Sequence, residues 1–170
     1  MSGLPERSEA AEYYFTYIGR ITNPDIVGEL KTQLEDFPRF LRGISEEKSL
    51  QRYAPDKWSM RQVLSHINDT ERAFAFRALW FARNFDSPLP SFDQNVAVEA
   101  ARADERSWAS HIEDFKAVRA ASVSLFREMP QEAWGKKGIA SGNTFTVRAL
   151  AYIIAGHVAH HRSILETRYL

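Results

Sequence analysis

Three of the chain's five histidines fall within the stretch Gly156-His157-Val158-Ala159-His160-His161. The run 147–170 around them contains no proline and no second glycine, which predicts one long terminal helix. At about 100° per residue, Val147, Leu150, Ala151, Ile154, Val158, Ile164 and Leu165 share one apolar stripe. His161 lies near the centre of that stripe, His157 roughly 40° from it, and His160 roughly 100° away at its edge. Two imidazoles one turn apart therefore point inwards. Side chains at i and i+4 can grip a single ion, and neutral imidazole is the commonest ligand of zinc and similar metals. The same spacing fits two buried, hydrogen-bonded histidines, and spacing alone leaves both readings open.

A third inward histidine comes from a different helix. Trp58-Ser59-Met60-Arg61-Gln62-Val63 carries a dense start signal, with Ser59 and Gln62 as a capping box and Trp58 placed to staple onto Val63. Met60, Val63, Leu64, Ile67, Phe74, Ala78 and Phe81 continue a buried face towards Asn84. His66 stands roughly 60° from Val63 and close in angle to Ala73, so it points in or nearly in. His111, beside Ile112 on another helix, has no ligand paired with it and reads as structural or solvated.

Two further long helices complete the set. Asn23-Pro24 reads as an N-cap followed by proline at the first helical position, and Ile26, Val27, Leu30, Leu34, Phe37 and Leu41 follow at helical spacing. Pro38 lies inside that pattern and predicts a kink or break before Gly43. The segment 85–103 reads as a long connection with one short helical turn after Asn95. A third long helix is expected from Asp104 to about Met129, burying Trp108, Ile112, Phe115, Val118, Val123, Leu125 and Phe126. Gly142-Asn143 marks a small hairpin, after which Thr146 caps the terminal helix and Phe145 staples onto Leu150. The expected fold is all-α: a four-helix bundle with a long crossover, a short extra helix and a small hairpin before the last helix. Residues 1–170 form one domain, with 1–22 as an arm whose aromatic cluster Tyr13, Tyr14, Phe15, Tyr17 and Ile18 covers the bundle or a dimer partner.

Composition narrows the chemistry. Lysine plus arginine equals aspartate plus glutamate at 22 each, so no global field favours nucleic acid or an acidic membrane surface. The chain has no cysteine, which removes disulfides, thiolate ligands and a nucleophilic thiol, so any sulfur chemistry needs an external thiol. No apolar run approaches the ~20 residues of a membrane span, and the expectation is a soluble, cytoplasmic protein. No histidine has glutamate three residues before it, against a di-iron bundle. Val158 follows His157 where a zincin places its glutamate, and neither Gly-x-Ser-x-Gly nor a Walker loop is present. What survives is a mononuclear site of His66, His157 and His161.

Several separated motifs agree in order and spacing with one family. Trp58-Ser59, Val63-Leu64-Ser65-His66, Asp69-Thr70-Glu71-Arg72, Arg77-Ala78-Leu79, Leu89-Pro90-Ser91-Phe92-Asp93, Gly156-His157, His160-His161 and Arg168-Tyr169-Leu170 together resemble the DinB-like superfamily of small metal-binding bundles. The resemblance implies that His66, His157 and His161 bind one divalent metal ion. Zinc or nickel comes first, with iron, copper or manganese also compatible with the ligand set. It further implies a small-molecule substrate and a low-molecular-weight thiol cosubstrate, in a metal-dependent thiol transfer. Two alternatives stay open: a hydrolase using a metal-activated water, and a non-enzymatic, metal-braced homodimer. Asp69 then reads as the hydrolytic base, as a carboxylate orienting a histidine, or as a solvated residue beside Glu71 and Arg72. His160 reads as a partner of the ligands, and Asp69 or Asp93 on the ion would mark a closed, structural site.

Overall fold

The computed structural model describes residues 3–170. Its helices are α1 (Phe15–Ile18), α2 (Ile26–Arg42), α3 (Met60–Ala82), α4 (Gln94–Ala100), α5 (Trp108–Arg127) and α6 (Val147–Ile164), with a two-stranded hairpin, β1 (Lys137–Ala140) and β2 (Asn143–Thr146), before the last helix. This is the all-α bundle expected.

Local side-chain chemistry sets most helix starts. Ser59 Oγ accepts from the Gln62 N–H while Gln62 Oε1 accepts from the Ser59 N–H, closing the capping box of α3. Thr146 accepts from the Ala149 N–H and caps α6. The cap of α2 differs from the sequence reading: Asp25 accepts from the Gly28 N–H, and Asn23 accepts from the Asp25 N–H in a turn just ahead of it. Both residues have capping chemistry, and the later one sits next to the first apolar position. Nor does α2 break at Pro38. Proline forfeits one backbone hydrogen bond there, while Phe37, Pro38 and Leu41 are all buried and hold the helix together. α5 begins at Trp108 under a Ser107 cap, and Asp104 instead lies in a separate tight turn. The terminal helix widens to a π-turn over Leu165–Tyr169, which buries Leu165 and brings the Tyr169 hydroxyl within 2.7 Å of the Trp58 carbonyl.

The hairpin turns on Ser141 and Gly142, both left-handed at φ 52° and 74°, one residue earlier than expected. Its outer edge carries the long connection, because Leu89 donates to the Ile139 carbonyl and accepts from the Ser141 N–H. The N-terminal arm folds onto its own bundle. Glu9 accepts from the Thr146 hydroxyl and from Arg148, and Tyr14 packs edge-on against Phe74 and Phe145.

α2 packs on α5 and α6, and α3 packs on the same two helices. The consecutive helices α2 and α3 therefore lie on one diagonal of the bundle and α5 and α6 on the other. This places α3 beside α6, so residues 91 positions apart in sequence meet. The core has two apolar halves. One collects Leu30, Phe74, Val123 and Ala155, and the other collects Phe37, Ile67, Phe115 and Val158. Between them each long helix presents a polar side chain: Gln33, Glu71, Arg119 and His157. Arg119, fully buried, donates from Nε and Nη2 to the Glu71 carboxylate at 2.8 Å and from Nη1 to Gln33 at 2.5 Å. Gln33 donates in turn to the Ala155 carbonyl at 3.1 Å, two residues before His157. A polar layer thus crosses the bundle at the level of the histidines.

Candidate metal centre

α3 delivers His66, and α6 delivers His157 and His161 one turn apart. The Nε2 atom of His157 lies 3.1 Å from Nε2 of His66 and 3.0 Å from Nε2 of His161. The ring centroids close a triangle of 4.9, 5.1 and 4.5 Å. Hydrogen bonding alone fits this arrangement poorly. A neutral imidazole Nε2 offers either one N–H or one lone pair, in a single direction, yet His157 Nε2 has two ring nitrogens in contact. Three lone pairs converging on one cation resolve the conflict, since tetrahedral zinc with bonds of about 2.05 Å sets its nitrogens about 3.3 Å apart. The donor set therefore fits a divalent ion.

Burial keeps these rings neutral. Desolvation pushes His66 down to about 4 and holds His157 and His161 well below the usual histidine value, with the neighbouring imidazoles lowering them further. A neutral ring keeps one nitrogen lone pair for an ion. Thr70, one turn after His66, places its hydroxyl 3.2 Å from His66 Nδ1. With the proton on Nδ1 donated to that hydroxyl, Nε2 is left as the ligand atom.

Two clefts reach the cluster. One, of about 120 Å³, is bordered by His66, His157, Thr70, Tyr17 and Arg77. The other, of about 300 Å³, is bordered by His161, Trp58, Tyr53 and Asn95. The long connection contributes to both, Phe92 and Gln94 to the first and Asn95 to the second. Tyr17 stands edge-on to His157 and His160 with centroids 5.3 Å away, and burial keeps its phenol protonated. Trp58 covers His66 at 5.0 Å.

The other residues singled out in the sequence lie elsewhere. Asp69 pairs with Arg72 at 3.4 Å and lines neither cleft. Burial raises its carboxyl against the pull of Arg72, and Asp114 adds to the rise. Asp93 caps α4 through the Asn95 and Val96 N–H groups. Glu71 is no surface residue, since its carboxylate is spent on Arg119. His111 is fully buried, with Nε2 2.9 Å from the Ala103 carbonyl, a structural role. His160 packs on Tyr17 and His161, and its Nε2 takes no part in the triangle. Tyr17 was read only as part of the aromatic arm, and Thr70 and Arg77 only as members of family motifs, none of them as a residue of the site. Thr70 could have been found from its i+4 spacing to His66, whereas Tyr17 and Arg77 depend on contacts with distant segments.

The DinB superfamily pattern matches residues 29–165, most of the chain and all three histidines. The chain belongs to the DinB superfamily. Among solved structures this DinB protein is similar to YfiT from Bacillus subtilis, described as a probable metal-dependent hydrolase with an unusual four-helix bundle topology. That match has a TM-score of 0.67 at 14% identity, over 95% of this chain and 91% of YfiT. It is also similar to a mycothiol-dependent maleylpyruvate isomerase, with a TM-score of 0.70 at 12% identity over 82% of this chain. It spans 58% of that enzyme's length. At these identities the likeness is one of fold. No curated protein matches the sequence. No helix among the described residues is long and apolar enough to cross a membrane.

Proposed function

We propose that His66, His157 and His161 hold one divalent metal ion, zinc or nickel by preference, and that the protein is a metal-dependent transferase acting on a low-molecular-weight thiol cosubstrate. The observation that carries this reading is the meeting of three neutral Nε2 atoms beside open clefts, with no fourth protein ligand among the described residues. A structural zinc site is normally closed by a fourth side chain, and an open position marks a reactive one. When bound, the ion supplies Lewis-acid chemistry, making a coordinated thiol or water acidic enough to act near neutral pH.

The chain's own residues orient and exclude. Thr70 fixes the His66 ring, Trp58 and Tyr17 shield the imidazoles from bulk water, and the connection around Phe92 and Gln94 borders the space left for substrate. The absence of cysteine requires the thiol to come from outside. The 120 Å³ cleft has no carboxylate in its lining, whereas Asp56 borders the other cleft with His161, and in the first a thiol nucleophile needs a general base less than an attacking water does. The second reading is hydrolysis, favoured by the likeness to YfiT.

Cobalt-loaded protein titrated with 2-mercaptoethanol separates the two. The transferase reading expects a thiolate-to-metal charge-transfer band that saturates at one thiol per chain and is lost in His157→Ala. A spectrum indifferent to thiol, together with ester cleavage by the zinc-loaded protein, would establish the hydrolase instead.

A further inference from the structure

Among the described residues three arginines are buried, and two of them have a carboxylate partner. Arg119 is paired with Glu71, and Arg61 with Glu46. Arg77, only 5% exposed, makes no ion pair among the described residues. Its Nη2 donates to the Pro90 carbonyl at 3.1 Å and to the Ser141 hydroxyl at 2.9 Å. Those two bonds tie α3 to the long connection and to the hairpin turn, and they use one of three guanidinium nitrogens. The guanidinium carbon lies 5.3 Å from the centre of the Phe74 ring, Nε and Nη1 have no hydrogen-bond partner among the described residues, and neither is sealed from solvent. Arg77 borders the cleft that His66 and His157 share. Desolvating a cation without an anion is costly, and burial lowers the Arg77 pKa accordingly.

We propose that Arg77 is an anion-binding element of this cleft, gripping the carboxylate of a small organic acid whose other end reaches the histidine cluster. The inference rests on the metal-site reading for where the reactive end lies. Arg77 is the only cationic side chain in the lining, so the site suits one carboxylate better than a phosphate dianion. Tyr14, Tyr17 and Phe74 offer an aromatic wall to the body of the ligand. Arg77 follows His66 by eleven residues, which puts both within about 20° on one face of α3 and about 16 Å apart along the axis. Both side chains lean back towards the helix N-terminus and arginine reaches further, which shortens the gap from guanidinium to imidazole to about 13 Å. After contacts at both ends, that gap leaves room for roughly four methylene groups.

Calorimetric titration of the zinc-loaded protein with adipate tests the span. Adipate is expected to bind about tenfold tighter than hexanoate or succinate, because it alone reaches both ion and guanidinium. Arg77→Met removes that advantage, and Arg77→Lys keeps part of it, while acetohydroxamate, which needs only the ion, binds unchanged. In the wild-type protein without added metal, the Arg77 Nε–Hε resonance shifts on adding hexanoate, a readout that stands even if the variants fail to fold. No adipate advantage, or one that survives Arg77→Met, overturns the proposal, and so does an equal resonance shift with inorganic phosphate. The two readings fail separately. Protein that takes up no zinc yet shows the resonance shift loses the metal site and keeps the anion site. Acetohydroxamate binding without any Arg77 response does the reverse.

Discussion

His66, His157 and His161 owe their neutrality to burial, and the neutral rings owe their direction to partners that cost little sequence. Thr70 illustrates this: a hydroxyl 3.2 Å from His66 Nδ1, placed by helix periodicity alone, can accept the Nδ1 proton and leave Nε2 free. Partners of this kind are worth about 10–100-fold in metal affinity when removed. Thr70→Val is therefore expected to weaken zinc binding by about tenfold, with Thr70→Ser close to the parent, in competition against a chromophoric chelator. Equal affinity in Thr70→Val would show that the hydroxyl does not set the tautomer. His160 marks the limit of adjacency as an argument. It stands next to His161 in sequence, yet helix geometry turns it onto Tyr17 and keeps it out of the group that His66, His157 and His161 form.

At the scale of elements, Gly156 lets α1 reach the site. A Cβ there would overlap the Tyr17 carbonyl, backbone that cannot swing aside as a side chain would. Gly156→Ala is expected to destabilise the protein by about 1–3 kcal/mol and to lift the Tyr17 ring off His157. Thermal denaturation and proteolytic sensitivity of the arm measure it, and an unchanged melting temperature with a protected arm would contradict the packing described. The helix starts at Ser59 and Thr146 were legible because caps are local bonds between neighbours in sequence. The start of α2 was less so, since Asn23 and Asp25 carry the same capping chemistry and only the next apolar position chooses between them. Pro38 misled because its local cost is outweighed by burial of Phe37 and Leu41, which sequence periodicity does not weigh. The inward turn of His66, His157 and His161 was readable from helical spacing. Their meeting at Nε2 needed α3 beside α6, and nothing local specifies that α2 and α3 lie on a diagonal.

For the whole molecule, the polar layer matters as much as the two apolar halves it separates. Glu71, Arg119 and Gln33 run from α3 through α5 to α2, and Gln33 passes the connection to the Ala155 carbonyl on α6. One set of bonds thereby fixes all four helices at the level of the site, which explains why Glu71 is buried despite its charge. Removing one member strands the other in the core. Glu71→Leu or Arg119→Met alone is expected to cost about 3–5 kcal/mol, and the double substitution markedly less than the two costs added together. Chemical denaturation of the four proteins measures the coupling. Additive losses would mean that the pair does not act as a unit.

Metal content decides whether the three histidines hold one ion. Mass spectrometry of untagged protein, after incubation with zinc or nickel, is expected to find about one ion per chain in the parent and in His160→Ala, with the ion lost from His66→Ala, His157→Ala and His161→Ala. A parent that binds no metal, or metal that survives all three of those substitutions, would rule out a three-histidine site.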